Sequence, residues 1–396
     1  MFLQTTLRRN PDLIRLAVHL HRDGQIGPNT YVIDGDAVVH NSQRLAEAGA
    51  QHGLSLYFMS KQINRNPFLV QRIAAAIGRA VAVDWEEALA LAAAGVQLGN
   101  VGHLVQPPEW ALDRLAHLAP EVVTVFSVAK ARGIGAAAAR LGRVQPVLLR
   151  VAGSDDAFYP GQSGGFSLAE LRWAVRDMLA APGLQVAGVT SFPCLTFDPE
   201  SLTAQPTAHL PALLAARTLL EQEFGLGGLQ VNAPSLTCCA TIPYLAEMGV
   251  THGEPGHALT GTTPLHAVSE QPEVPAAVYV SEVSHLYGGK AYCFGGGLYP
   301  RSRVQTALVG KDPERLIHVD VESMPPEAID YYGTLLPAPD QSVAVGDTVI
   351  CAFRMQMFTA RSHLAVVSGG KLVGLYDAAN RLVLADQLPA GGRRSI

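Results

Sequence analysis

Leu54-Ser-Leu-Tyr-Phe-Met-Ser-Lys61 reads as a core strand that ends on a lysine. Leu54, Leu56, Phe58 and Met59 make the run apolar enough for burial, and an ammonium group where such a strand leaves the core is costly unless it has a task. A lone lysine at a strand end usually carries its head out to water, so the surrounding pattern decides. Seven further short apolar or β-branched runs repeat it, at residues 80–83, 96–101, 122–126, 146–151, 186–190, 229–231 and 249–252, with Ala/Leu-rich helical stretches between them. Eight strands alternating with helices, without an antiparallel hairpin signal, predict an α/β fold: a parallel (β/α)8 barrel of the TIM type over residues 30–265. A doubly wound open sheet ranks second, because no G-x-G-x-x-G opens a helix after any strand.

The flanks differ in character. Residues 7–21 alternate apolar and charged side chains at helical spacing, which predicts an amphipathic helix rather than a signal peptide. We expect residues 1–29 to pack on the C-terminal part of the chain. Thr30-Tyr-Val-Ile-Asp34 reads as a short strand, taken with the barrel. From residue 266 to 396 β-rich runs dominate, at 278–283, 290–294, 316–321, 348–353, 363–367 and 371–376, punctuated by Gly288-Gly289, Gly295-Gly-Gly297 and Gly369-Gly370. That pattern predicts a second, mostly antiparallel β domain.

Composition narrows the class. The 396 residues are 48% apolar and 16% charged, with a net charge of −5 and no basic stripe, so neither nucleic acid nor a membrane surface is an expected partner. No run long enough for a transmembrane span occurs. Five cysteines (Cys194, Cys238, Cys239, Cys293, Cys351), odd in number and without a C-x-x-C pair, read as reduced thiols, and a cytoplasmic location is expected.

A (β/α)8 barrel presents its chemistry at the C-terminal ends of its strands. Here those positions carry Lys61, Asp84, His103, Ser127, Arg150, Ser191, Asn232 with Ser235, and Glu254. Each alone reads as solvated rim; together around one mouth they read as a site. Asn232-Ala-Pro-Ser235-Leu-Thr237 predicts a helix start with free N–H groups, and Gly253-Glu254-Pro-Gly256-His257 a glycine-flanked turn. Loops after strands seven and eight commonly hold phosphate in this fold. A phosphate pocket facing a strand-end lysine points to pyridoxal 5'-phosphate, whose aldehyde condenses with a lysine amine.

At these residues the chain resembles the fold-type III pyridoxal 5'-phosphate enzymes of the alanine racemase superfamily, and within them the YhfX-type branch. The matching stretches run along nearly the whole chain: Tyr57-Phe-Met-Ser-Lys61-Gln, Arg65-Asn-Pro67, Gly102-His-Leu-Val-Gln106, Tyr159-Pro-Gly-Gln162, Phe192-Pro-Cys194, Asn232-Ala-Pro-Ser235, Gly253 to Gly261, Tyr292-Cys-Phe-Gly-Gly-Gly297 and Phe353-Arg-Met-Gln356. The resemblance implies a Schiff base at Lys61, phosphate contacts from Ser235, Gly256 and His257, and an organising role for Arg150. Asn232 and Ser191 fall among the implied cofactor contacts, Ser191 standing where many relatives place a histidine. Glu254 stands where alanine racemases proper place an arginine opposite the pyridine nitrogen; a carboxylate there keeps that nitrogen protonated and the ring a full electron sink.

The resemblance further implies a homodimer with shared active sites and a small amino-acid substrate. Racemisation or epimerisation needs a base on each face of the α-carbon; Lys61 supplies one, and the other is implied to come from the β domain of a partner subunit, at Tyr292 or Cys293. These two point to opposite faces of a strand, so only one can serve. Tyr292 fits the racemases, Cys293 the decarboxylases. The C-x-x-x-D signature of those decarboxylases is absent, as is the H-x-C zinc pair of the aldolase and dehydratase relatives, so no metal is expected. Arg354 and Arg361 could meet a substrate carboxylate. A decarboxylase, a lyase and a non-catalytic cofactor-binding homeostasis protein stay open as alternatives; so does a barrel that binds another phosphate.

Overall fold

The computed structural model describes residues 2–153, 158–299 and 302–385. The chain divides into two compact units. One comprises residues 42–61 and 65–258; the other comprises residues 1–41, 62–64 and 259–396.

The first unit is a closed barrel of eight strands. In chain order they are β1 (Ser55–Met59), β2 (Arg79–Ala82), β3 (Gln97–Val101), β4 (Val122–Val125), β5 (Gln145–Arg150), β6 (Leu184–Thr190), β7 (Gln230–Asn232) and β8 (His252–Gly253). Every neighbouring pair is parallel, and β8 closes on β1 with Gly253 opposite Leu56. Alternation along β1 sends Tyr57 and Met59 into one buried cluster with Val81, Val83, Val122 and Leu148, drawn from strands around the barrel. Gly99 on β3 is required there, since a Cβ would lie 2.2 Å from the Tyr57 ring. The Tyr57 hydroxyl donates to Glu121 Oε1 at 2.9 Å, which ties the interior to the start of β4.

Two features of this unit depart from expectation. Between β6 and the helix His209–Phe224 lies a small antiparallel ladder, Leu195–Asp198 with Thr203–Pro206. Its turn is built by Asp198, which accepts from the N–H groups of Glu200 and Ser201 and from the Ser201 hydroxyl. An Asp-Pro-Glu-Ser turn of this kind signals itself by side-chain bonding rather than by Asn-Gly or Asp-Gly. Asp84 and Ser127, read as rim residues, are helix N-caps: Asp84 accepts from Glu87 N–H at 2.7 Å and Ser127 from Lys130 N–H at 3.2 Å.

The second unit is a ten-stranded sheet covered by the N-terminal helices. Thr30–Asp34 belongs to this sheet and not to the barrel, so the barrel begins later than residue 30. It pairs antiparallel with residues 277–280 and parallel with residues 363–367. Tyr31, Val32 and Ile33 are all buried, Val32 in the cluster with Leu13, Ile14, Ala17 and Val18. Tyr31 packs against Tyr279 with the rings tilted by 56° and their centroids 5.1 Å apart. A strand apolar on both faces carries no alternation to say which sheet it joins. The N-terminal region is two helices, Phe2–Arg9 and Pro11–Arg22. The break falls at Asn10-Pro11, where Asn10 caps Leu13 N–H at 3.3 Å and proline takes the first helical position.

Candidate active site in the barrel mouth

Lys61 leaves β1 through Ser60 and opens a short 3-10 turn, Lys61–Ile63. The residue before it is held from behind. Ser60 Oγ donates to Glu87 Oε1 at 2.6 Å, and the other oxygen of that carboxylate accepts from Val83 N–H at 2.8 Å. Glu87 is fully buried, and burial pushes its carboxyl up from its ordinary range against the pull of those two donors. Met59 N–H donates to the Pro255 carbonyl at 2.9 Å, so the lysine-bearing strand is tied to the Glu254-Pro255-Gly256 turn.

Glu254 is the electrostatic centre of the mouth. Its Oε1 accepts from Asn100 Nδ2 at 3.0 Å and from Asn232 Nδ2 at 2.8 Å. Asn100 is oriented by the Thr124 hydroxyl at 2.8 Å, and Asn232 by Thr190 at 3.2 Å. Among the described residues Glu254 Oε2 has no hydrogen-bond partner; it lies 3.3 Å from His103 Nδ1, in a geometry that makes no hydrogen bond. Burial raises the Glu254 carboxyl to about 7, while the two amides and the charge of Lys61 pull it down. His103, also buried, is driven well below its ordinary value by desolvation and then by the charges of Arg150 and Lys61, so its ring is neutral.

Arg150 closes β5, 1% exposed. Nη2 donates to the Gln162 carbonyl at 2.7 Å, the guanidinium lies 4.6 Å from the centre of the Phe126 ring, and Nε and Nη1 have no partner among the described residues. Burial lowers its pKa to about 10. Unmet donors on a buried cation are rare.

The remaining expected residues divide. Ser191 Oγ donates to the Val151 carbonyl at 2.7 Å and lies 3.1 Å from His209 Nδ1. Ser235 does not open a helix: it and Leu236 adopt left-handed φ values of 95° and 51°, and the next helix begins at Ile242. Its hydroxyl accepts from Leu195 N–H at 2.9 Å and donates to Leu195 C=O at 2.8 Å, so a phosphate contact from it trades away one of these bonds. Thr237 Oγ1 accepts from Glu254 N–H at 3.2 Å. Gly256 and His257 follow in the same turn, both buried.

In the sheet unit, Cys293 is 1% exposed and burial pushes its thiol up to about 11. Tyr292, on the opposite face of its strand, is half-buried and stacked on His285 with ring centroids 4.7 Å apart. Arg354 is exposed. Arg361 is engaged with Asp330, at 2.7 Å to its carboxylate and 2.8 Å to its carbonyl.

Asn100, Thr124, Thr190 and Glu87 belong to the site and were not read from the sequence. An asparagine inside the buried run 97–101 was the available signal, since a buried amide needs a polar partner.

Comparison with known proteins agrees with this architecture. The alanine racemase N-terminal domain matches residues 33–264, and a YhfX-like C-terminal domain matches residues 278–372. The chain is 40% identical over 385 residues to the uncharacterized protein YhfX of Escherichia coli (strain K12), covering 96% of this chain and 98% of that one. It also resembles the solved structure of D-threonine aldolase from Filomicrobium marinum at 17% identity and a TM-score of 0.64, covering 89% and 95% of the two chains. D-threo-3-hydroxyaspartate dehydratase from Delftia sp. HT23 matches at 18% identity and a TM-score of 0.63, covering 88% and 96%. Alanine racemase from Clostridium difficile 630 matches at 14% identity and a TM-score of 0.63, covering 89% and 99%. Among the described residues no helix is long and apolar enough to cross a membrane. With both domain models matched in order and near-complete coverage by a 40% identical relative, the chain belongs to the alanine racemase superfamily, in its YhfX-type branch.

Proposed function

We propose that the protein is a pyridoxal 5'-phosphate-dependent enzyme that racemises or epimerises a small amino acid. The observation that carries the cofactor part of this reading is the buried Glu254 carboxyl, its Oε2 without a donor among the described residues and within electrostatic reach of Lys61. The unmet groups fit the cofactor: Glu254 offers an acceptor for a protonated ring nitrogen, and Arg150 Nε and Nη1 offer donors for an anionic oxygen. The turns at 232–237 and 253–257, with Ser191, Asn232, Ser235, Gly256 and His257, are the proposed cradle for the rest of the group.

When bound, the cofactor supplies an electron-accepting ring that weakens the bonds at the α-carbon of an amino acid joined to it. Lys61 carries the cofactor and moves a proton on one face of that carbon. Its placement by Ser60 and Glu87 limits the arc its amine can sweep. Glu254, held by Asn100 and Asn232, would meet the ring nitrogen of the cofactor and favour its protonated form. On the opposite face the proton is moved by the hydroxyl of Tyr292 of the partner subunit, in a homodimer with shared sites. Cys293 is the weaker candidate, because burial holds its proton on. Arg354 is the proposed contact for the substrate carboxylate.

The test is incubation of the holoenzyme with a panel of L- and D-amino acids in deuterated water, following α-carbon exchange together with optical rotation. Exchange with loss of chirality for at least one pair is expected. Exchange with chirality retained, or release of carbon dioxide or ammonia, rejects racemisation.

A further inference from the structure

His103 has no place in the roles assigned so far. It follows β3, is 1% exposed, and neither ring nitrogen has a hydrogen-bond partner among the described residues. The Phe192 ring lies edge-on at 5.3 Å, and Nδ1 lies 3.3 Å from Glu254 Oε2. A buried imidazole with both nitrogens unpaired is costly, and packing alone would be better served by a phenyl ring.

The surroundings restrict what this contact can be. Glu254 Oε1 is occupied by the Asn100 and Asn232 amides, which only donate in this arrangement. The Glu254 main-chain N–H is taken by Thr237. Only Oε2 is left to bear or accept a proton. The charged groups that bear on the two residues are Lys61, from the end of β1, and Arg150, from the end of β5. Both are cations, so they favour a neutral ring beside a charged carboxylate. The 3.3 Å separation has room for one shared proton once the ring turns into line, either as N–H donating to carboxylate or as carboxylic O–H donating to the ring.

We propose that His103 is a positioning residue for Glu254: its Nδ1 shares one proton with Oε2 and sets the pH at which the carboxylate becomes charged. The shift follows when a small rotation of the ring, at a separation already within hydrogen-bond reach, brings its N–H onto Oε2. The charge on Glu254 is what a protonated ring nitrogen would meet, so the consequence for catalysis rests on the cofactor reading above. The proton sharing itself belongs to the ligand-free chain.

The experiment is isotope-edited infrared titration of the ligand-free full-length protein with 13C-labelled glutamate. The buried carboxyl band is assigned by its loss in Glu254→Gln. His103→Phe keeps the ring and removes the nitrogens; the Glu254 midpoint is expected to rise by about one pH unit, a tenfold gain in proton affinity. His103→Asn, whose amide can occupy the position of Nδ1, should restore the wild-type midpoint, whereas His103→Gln, which reaches to the position of Nε2, should not. If His103→Phe fails to fold, the Asn and Gln pair alone decides. An unchanged midpoint in Phe, or equal midpoints in Asn and Gln, overturns the proposal. Binding of pyridoxal 5'-phosphate to the wild type is measured separately by absorbance: its failure would remove the proposed function and leave the titration result standing.

Discussion

Glu254→Gln removes a buried ionisable carboxyl while keeping its shape, and it should remove a pH dependence of barrel stability with it. Burial raises the Glu254 carboxyl from 4.5 to about 7, so between those values the folded barrel binds a proton that the unfolded chain has released. The contribution of Glu254 is therefore most favourable below pH 4.5 and is lost as pH rises through about 7. A gap of about 2.5 on the pH scale, at about 1.36 kcal/mol for each step of one, corresponds to roughly 3 kcal/mol. Other groups oppose this trend. His252 is lowered to about 4 by burial, and buried His103 is lowered too, so both favour the folded state as pH rises. The difference between wild type and variant cancels the His252 term.

The assay is urea unfolding of the ligand-free protein at pH 5 and pH 8, read by tryptophan fluorescence. Trp85, Trp110 and Trp173 all lie in the barrel unit, so the signal follows that unit. Relative to the glutamine variant, the wild type should lose about 2 to 3 kcal/mol between the two pH values. A difference that does not change with pH would mean Glu254 is not a desolvated carboxyl, and the electrostatic account of the mouth would fall with it.

Three further outcomes are expected. Arg150→Met keeps the buried stem but removes a cation with two unmet donors; barrel stability should hold or rise by about 1 kcal/mol, while affinity for pyridoxal 5'-phosphate, read by absorbance titration, drops at least about tenfold. Glu87→Gln places an amide N–H against the donors Ser60 Oγ or Val83 N; a loss of about 1 to 3 kcal/mol in urea is expected, with Ser60→Ala losing less because it leaves the Val83 bond intact. Cys293, its thiol held up to about 11 by burial, should resist alkylation at pH 8 until the protein is unfolded, while half-buried Cys239 reacts in the native state; rapid native labelling of Cys293 by mass spectrometry would contradict the packing of its strand.

What could be read from sequence follows how local the information is. The eight barrel strands announce themselves because each is a short apolar run beside a helical stretch, and the strand-end lysine stands out against Tyr57, Phe58 and Met59. Thr30–Asp34 gives no such guidance: Tyr31, Val32 and Ile33 are apolar on both faces, and its partners lie at residues 277–280 and 363–367. Asp84 and Ser127 occupy the right positions for a site, yet each is used by the helix that follows. Lys61, Arg150 and Glu254 were legible as rim residues, but the bond from Asn100 to Glu254 joins residues 154 apart, and no local pattern encodes it. Ser60 and Glu87, spaced by 27, are a similar case.

The most direct test of the account is to load the protein with pyridoxal 5'-phosphate, reduce it with borohydride and map the modified peptide by mass spectrometry. The account predicts a single phosphopyridoxyl adduct on Lys61, abolished in Lys61→Ala. An adduct on Lys130, Lys290, Lys311 or Lys371 instead, or a protein that takes up no cofactor, would contradict it.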